Sequence, residues 1–137
     1  MQLLTSCDDL LWEAALDYAV RFRKEMHLWK DIVKDEPVEA FLGGVTEWGR
    51  TLLVLTASRL VLLNKPCFRK LRERTVSLRD VNAVSFEKKL FGSRVYVQNG
   101  PEILIVKKVQ ARYAENFVST LKARLTARAD AENVLPQ

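Results

Sequence analysis

The sequence specifies an α+β chain: a helical arm, then a seven-stranded bent antiparallel sheet or partly open barrel, then a C-terminal helix that caps it. Three observations carry this expectation. Residues 52–63 form two apolar runs around the polar turn Thr56-Ala57-Ser58-Arg59, which is the pattern of a β-hairpin. Apolar residues recur at helical spacing before residue 37 and again after residue 109. Between those limits the connections are short and rich in turn formers, so neighbouring strands run antiparallel.

The elements follow in order. Asp8 and Asp9 are helix-capping residue types, and Leu11, Ala15, Tyr18, Phe22, Met26, Trp29 and Val33 follow them at steps of four or three. Unbroken over 8–35, this helix would span roughly 40 Å at about 1.5 Å per residue, more than a small sheet needs for cover. A break within 21–24 is open, although neither Gly nor Pro forces one there. Pro37 ends the arm, because a proline drives the preceding residue out of helical geometry. Strands are expected at 38–46, 51–56, 59–64, 73–78, 83–89, 94–98 and 102–108. Glu47-Trp48-Gly49-Arg50 closes the first hairpin, Leu90-Phe91-Gly92-Ser93 the fifth and Asn99-Gly100 the sixth. Asn-Gly suits a two-residue turn that needs positive φ at both positions. Residues 110–128 then place Ala114, Phe117, Val118, Leu121 and Leu125 on one helical face. The expected organisation is an arm (1–36), a domain (37–128) and a frayed polar tail (129–137).

A chain of 137 residues, 48 % apolar and 28 % charged, is sized for one packed core. Cys7 and Cys67 are too few for a disulfide framework, so a reducing, cytoplasmic setting is expected. Leu4-Thr5-Ser6-Cys7 looks like a lipoprotein processing box, but only Met1-Gln2-Leu3 precedes it, with no apolar run for secretion. Thr56, Ser58 and Arg59 interrupt the longest apolar stretch, which excludes a membrane-spanning helix. Charge is uneven: −3 over residues 1–36, +7 over 37–109 and +1 over 110–137. The basic middle suits an anionic surface or the acidic arm of the same or a neighbouring chain.

Residues 53–63, the run 76–86 with its Leu78-Arg79-Asp80-Val81 corner, and Leu90-Phe91-Gly92-Ser93 together resemble the bacterial pleckstrin-homology-like family. The resemblance covers about residues 36–126. It implies seven antiparallel strands closed at one end by the last helix, with Thr56 and Arg59 as a hairpin corner and Asp80 and Val81 turning the chain between the fourth and fifth strands. It also implies a non-enzymatic binding or self-assembly module. Eukaryotic phosphoinositide binders of this superfold carry basic residues around the first hairpin. Here that hairpin offers Arg50 beside Glu47, so phosphoinositide recognition does not carry over.

Other motifs resolve to plain chemistry. Residues 44–51 nearly match a phosphate loop, but an apolar strand follows where a helix N-terminus is needed. His27 is the single histidine, and neither Cys7 nor Cys67 stands at ligand spacing from it, so no metal and no cofactor are expected. Cys67 lies beside Arg69 and Lys70, which favour a thiolate, but it lacks a base. No pair of titratable groups is spaced for acid–base work, so the chain is read as no enzyme.

The densest basic feature is the loop 65–74. Lys65, Phe68, Arg69, Lys70, Arg72 and Arg74 are its candidate contacts to a ligand or partner. Tyr18, Phe22, Met26 and Trp29 on the arm are the candidate residues for assembly into a homo-oligomer. Exposed sheet edges add a template for a protein or peptide partner. The alternative is a peripheral membrane module whose basic loop meets anionic lipid. Nucleic acid is disfavoured, because no aromatic stacking series or recognition helix accompanies the cations.

Overall fold

In the computed structural model, which describes residues 6–34, 36–66 and 68–134, β-structure begins directly after Pro37. Seven strands follow: β1 (Val38–Thr46), β2 (Gly49–Thr56), β3 (Arg59–Asn64), β4 (Arg72–Ser77), β5 (Val81–Glu87), β6 (Ser93–Asn99) and β7 (Glu102–Val109). Helices α1 (Ser6–Arg21) and α2 (Arg23–Val33) precede them and α3 (Ala111–Val134) closes the chain. The strands make one antiparallel sheet in the order β4-β3-β2-β1-β7-β6-β5. It does not close into a barrel, since β4 and β5 remain its two edges. A 3-10 turn at Leu78–Asp80 joins those edges, with the Ser77 hydroxyl accepting from the Arg79 amide.

The bend sits at β1. This strand pairs with β2 along its whole length, from Val38↔Thr56 to Thr46↔Gly49, but meets β7 in register only at Val45↔Lys107. Two halves of the sheet therefore fold toward each other about a narrow seam. α3 packs across β1, β5 and β6, burying Tyr113, Ala114, Phe117, Val118 and Leu121 in the shared core.

Residues 51–56 and 60–64 are buried without alternation. An antiparallel strand reads so only when both of its faces are covered. The second cover is the arm, which lies on the outside of the chain's own sheet: α1 on β1, and α2 on β2 and β3. The adjacent glycines of β1 make the crossing possible. A Cβ at Gly43 would stand 2.4 Å from the Phe22 ring and 2.8 Å from that of Tyr18. A Cβ at Gly44 would stand 2.5 Å from Val106 and 2.6 Å from the Lys107 carbonyl. One glycine admits the arm and the other admits β7.

The arm is bent at Phe22, whose backbone (φ −120, ψ 48) leaves the helical region. The hydrogen bonds Phe22 N–H to Tyr18 O (2.7 Å) and Met26 N–H to Phe22 O (2.8 Å) carry the chain through. No Gly or Pro stands at the bend, where the Phe22 ring is seated against Gly43. At the other end α3 runs on to Val134, past the Arg128 at which the apolar helical pattern ends. Residues 126–133 are TARADAEN, mostly compatible with a helix and free of Gly and Pro, so nothing local ends it.

Candidate interaction surfaces

The arm is fastened by the hairpin corner at Thr56 and Arg59. Thr56 Oγ1 accepts from the amides of Ser58 (3.3 Å) and Arg59 (3.1 Å), which shapes the turn. Glu36, just past α2, then takes three donors from that corner: Ser58 Oγ at 2.8 Å, Thr56 Oγ1 at 3.0 Å and Arg59 Nε at 2.7 Å. Arg59 also donates to the Ile32 carbonyl at 2.9 Å, at the end of α2. The Ser58 hydroxyl, and after it the Arg59 guanidinium, hold the Glu36 carboxyl below the usual carboxylate range. The corner is thus the clamp between arm and sheet.

α1 has two apolar faces. The inner one buries Ala14 and Tyr18, and Phe22 at the bend is buried beside them. Tyr18 and Phe22 meet edge to face at 5.5 Å, and Arg50 stacks on Phe22 at 5.0 Å. Burial pushes the Tyr18 phenol well above its ordinary range. Asp17 reaches across to α3, accepting from the Tyr113 hydroxyl at 3.1 Å, while Glu13 pairs with Arg112. The outer face carries Trp12, Leu16 and Val20, which are 63 %, 71 % and 80 % exposed. Beside this ridge lies an apolar groove of about 540 Å³ between the arm and β1. Leu11, Ala15, Met26, Trp29 and Phe41 are among its walls, and Arg23, His27 and Lys30 line it as well.

Of the four assembly candidates, therefore, Tyr18 and Phe22 lie inside their own chain, while Met26 and Trp29 line the groove. The stripe through these four is the one that packs inward at Tyr18 and Phe22. The second stripe, Trp12-Leu16-Val20 at steps of four, stood in the same segment and was its available signal.

The β3–β4 loop is held at its root. The Lys65 amide donates to the buried Glu25 carboxylate at 2.7 Å, and Lys65 Nζ donates to the Pro66 (3.3 Å) and Arg69 (2.6 Å) carbonyls. Arg74 pairs with Glu102 at 2.8 Å, joining β4 to the start of β7. Lys65 and Arg74 thus serve the fold. Phe68, Arg69, Lys70 and Arg72 are exposed, and Phe68 is 100 % so. Cys67 and the side chain of Cys7 lie outside the described residues.

Between the two halves of the sheet is a cavity of about 310 Å³, walled by Leu60, Leu62, Val76, Val97 and Leu104, with Glu47, Arg74, Glu102 and Lys107 also lining it. Glu102 is engaged by Arg74, and Asp80 and Glu87 are not among the walls. Residues 44–51 form strand and hairpin turn, with no helix to cradle a phosphate. Among the described residues no cluster of His, Cys, Asp or Glu is placed to hold a metal ion, and His27 stands exposed on α2. No helix among them is long and apolar enough to cross a membrane.

A bent seven-stranded antiparallel sheet with one terminal helix across it defines a PH-like α+β module. Residues 32–123, about two thirds of the chain, match the family model described as bacterial PH domain, and the chain belongs to that family. No curated protein matches it. The match begins at Ile32, so it includes Glu36 and the whole of the clamp at Thr56 and Arg59. Membership of this family indicates a binding module.

Proposed function

We propose that the protein is a non-catalytic docking module of the cytoplasm that self-associates through the outer face of its helical arm. It then presents the β3–β4 loop to an acidic protein partner. The observation that carries the reading is the Trp12-Leu16-Val20 ridge, three large apolar residues in a row on a helix whose other face is already buried. A second copy supplies the matching chemistry. Ridge and groove lie side by side on one surface, so a twofold arrangement sets the ridge of each copy in the groove of the other. Charge agrees: the sequence of α1 carries −3 and that of α2 carries +1, with Arg23 and Lys30 along the groove. Antiparallel helices pair those opposite signs twice.

Partner recognition falls to Phe68, Arg69, Lys70 and Arg72, a fully exposed aromatic among cations, with β4 beside them as an open sheet edge. Sedimentation equilibrium over a dilution series, at physiological and at high salt, tests the assembly. The wild type is expected to pass from a dimer to a monomer on dilution, and Leu16→Glu to be monomeric at every concentration. A wild type that is monomeric throughout overturns the reading.

A further inference from the structure

We propose that the tip of the β5–β6 hairpin is an insertion point for an anionic lipid bilayer. Leu90 and Phe91 sit side by side at this tip and are 87 % and 89 % exposed. The pair projects from a paired base, for Phe86↔Val95 and Glu87↔Arg94 are in register directly behind it. Convexity excludes a pocket for a small ligand, since neither residue lines any of the cavities described above. Two large apolar side chains in water are stabilised by leaving it.

The setting specifies what receives them. Lys88 and Lys89 precede the tip and Arg94 follows it. β7 adds a further cation, Lys108, through a bulge. Ser93 faces Val109 and Val95 faces Val106, so one residue of β6 stands against two of β7, Lys107 and Lys108. A bulge breaks the in-and-out alternation of a strand, and here it turns both successive lysines to the surface between the buried Val106 and Val109. Lys108 adopts φ 57, and its Cα is the atom that a Cβ on Gly92 would meet, at 2.9 Å. The tip is therefore folded against the bulge. Lys88, Lys89 and Arg94 flank Leu90 and Phe91 in sequence and Lys108 lies against Gly92, with one carboxylate, Glu87, which Lys89 (3.3 Å) and the Tyr96 hydroxyl (3.0 Å) already engage, while Lys107 lines the cavity between the two halves of the sheet. An apolar wedge within a cationic collar matches the acyl boundary beneath anionic headgroups. This site is separate from the arm and from the β3–β4 loop, so it stands or falls independently of self-association.

Flotation of the full chain with phosphatidylcholine vesicles, with and without phosphatidylserine, tests the inference. The wild type is expected to float only with phosphatidylserine present. Leu90→Ser combined with Phe91→Ser is expected to lower the partition coefficient about tenfold or more, with the thermal midpoint and the sedimentation mass unchanged. Lys88→Gln and Arg94→Gln are each expected to lower it about fivefold, at roughly 1 kcal/mol per cation near the surface. Phe68→Ser is expected to match the wild type. Three results overturn the inference: a folded wild type that does not float, a double serine variant that floats as well as the wild type, or a loss that belongs to Phe68→Ser instead.

Discussion

Gly43→Ala is the most informative single change to the fold, because its sign separates two opposing effects. Gly43 has no positive φ, so alanine suits its backbone, and the loss of unfolded-state freedom alone would stabilise the protein by about 0.4–1 kcal/mol. The space denies it. The added methyl would lie 2.4 Å and 2.9 Å from two ring atoms of Phe22 and 2.8 Å from the Tyr18 ring. Both rings are buried, with Tyr18 also against Tyr113 at 5.4 Å, so they yield only if α1 lifts from β1. Overpacking of that kind costs about 1–3 kcal/mol, enough to outweigh the entropic gain. Urea unfolding followed by far-UV dichroism is expected to give a midpoint below wild type, and trypsin to cut earlier at Arg21 and Arg23. Adding Phe22→Leu to Gly43→Ala is expected to recover part of the loss. A Gly43→Ala protein that is more stable than wild type, with its arm equally protected, would refute the packing argument.

Glu36→Gln is expected to lower stability by about 1 kcal/mol at neutral pH, a hydrogen-bonded ion pair discounted for its partial exposure. Because the folded-state pKa of Glu36 is depressed, the wild type holds this contribution above the ordinary glutamate value of about 4.3 and loses it as pH falls toward the lowered one, so urea midpoints of the two proteins should converge in acid. Leu16→Glu, on the outward face, is expected to keep the unfolding midpoint of the dilute wild type within about 0.5 kcal/mol. A large loss of stability there would mean that Leu16 belongs to the core.

The strands were legible because their signals are local. β1 and β3 span the residues that alternation and turn chemistry indicate, and β7 ends one residue beyond them. The clamp was half legible: the resemblance marks Thr56 and Arg59 as a corner, but that the corner grips Glu36 depends on where the arm lies. The bend at Phe22 and the need for Gly43-Gly44 have one cause, the crossing of α1, β1 and β7, and no window of sequence contains it. The outward surfaces are less legible for a different reason: Trp12, Leu16 and Val20 share a segment with a stronger inward stripe, and Leu90-Phe91 lies in a hairpin connection, whose exposure depends on the fold around it. Val106-Lys107-Lys108-Val109, with two cations where a strand should alternate, was the written trace of the bulge.

The arm covers its own sheet with its inner face and leaves Trp12, Leu16 and Val20 exposed on its outer one. Glu13 on α1 pairs with Arg112 on α3, so Arg112→Lys places an amine where a carbodiimide can join it to that carboxylate. Crosslinking an equal mixture of isotopically labelled and unlabelled chains, followed by mass spectrometry of the joined peptides, reads the geometry directly. Linked peptides that are wholly labelled or wholly unlabelled are predicted. Pairs of mixed label would contradict the account, for they would mean that the arm covers the sheet of a neighbour.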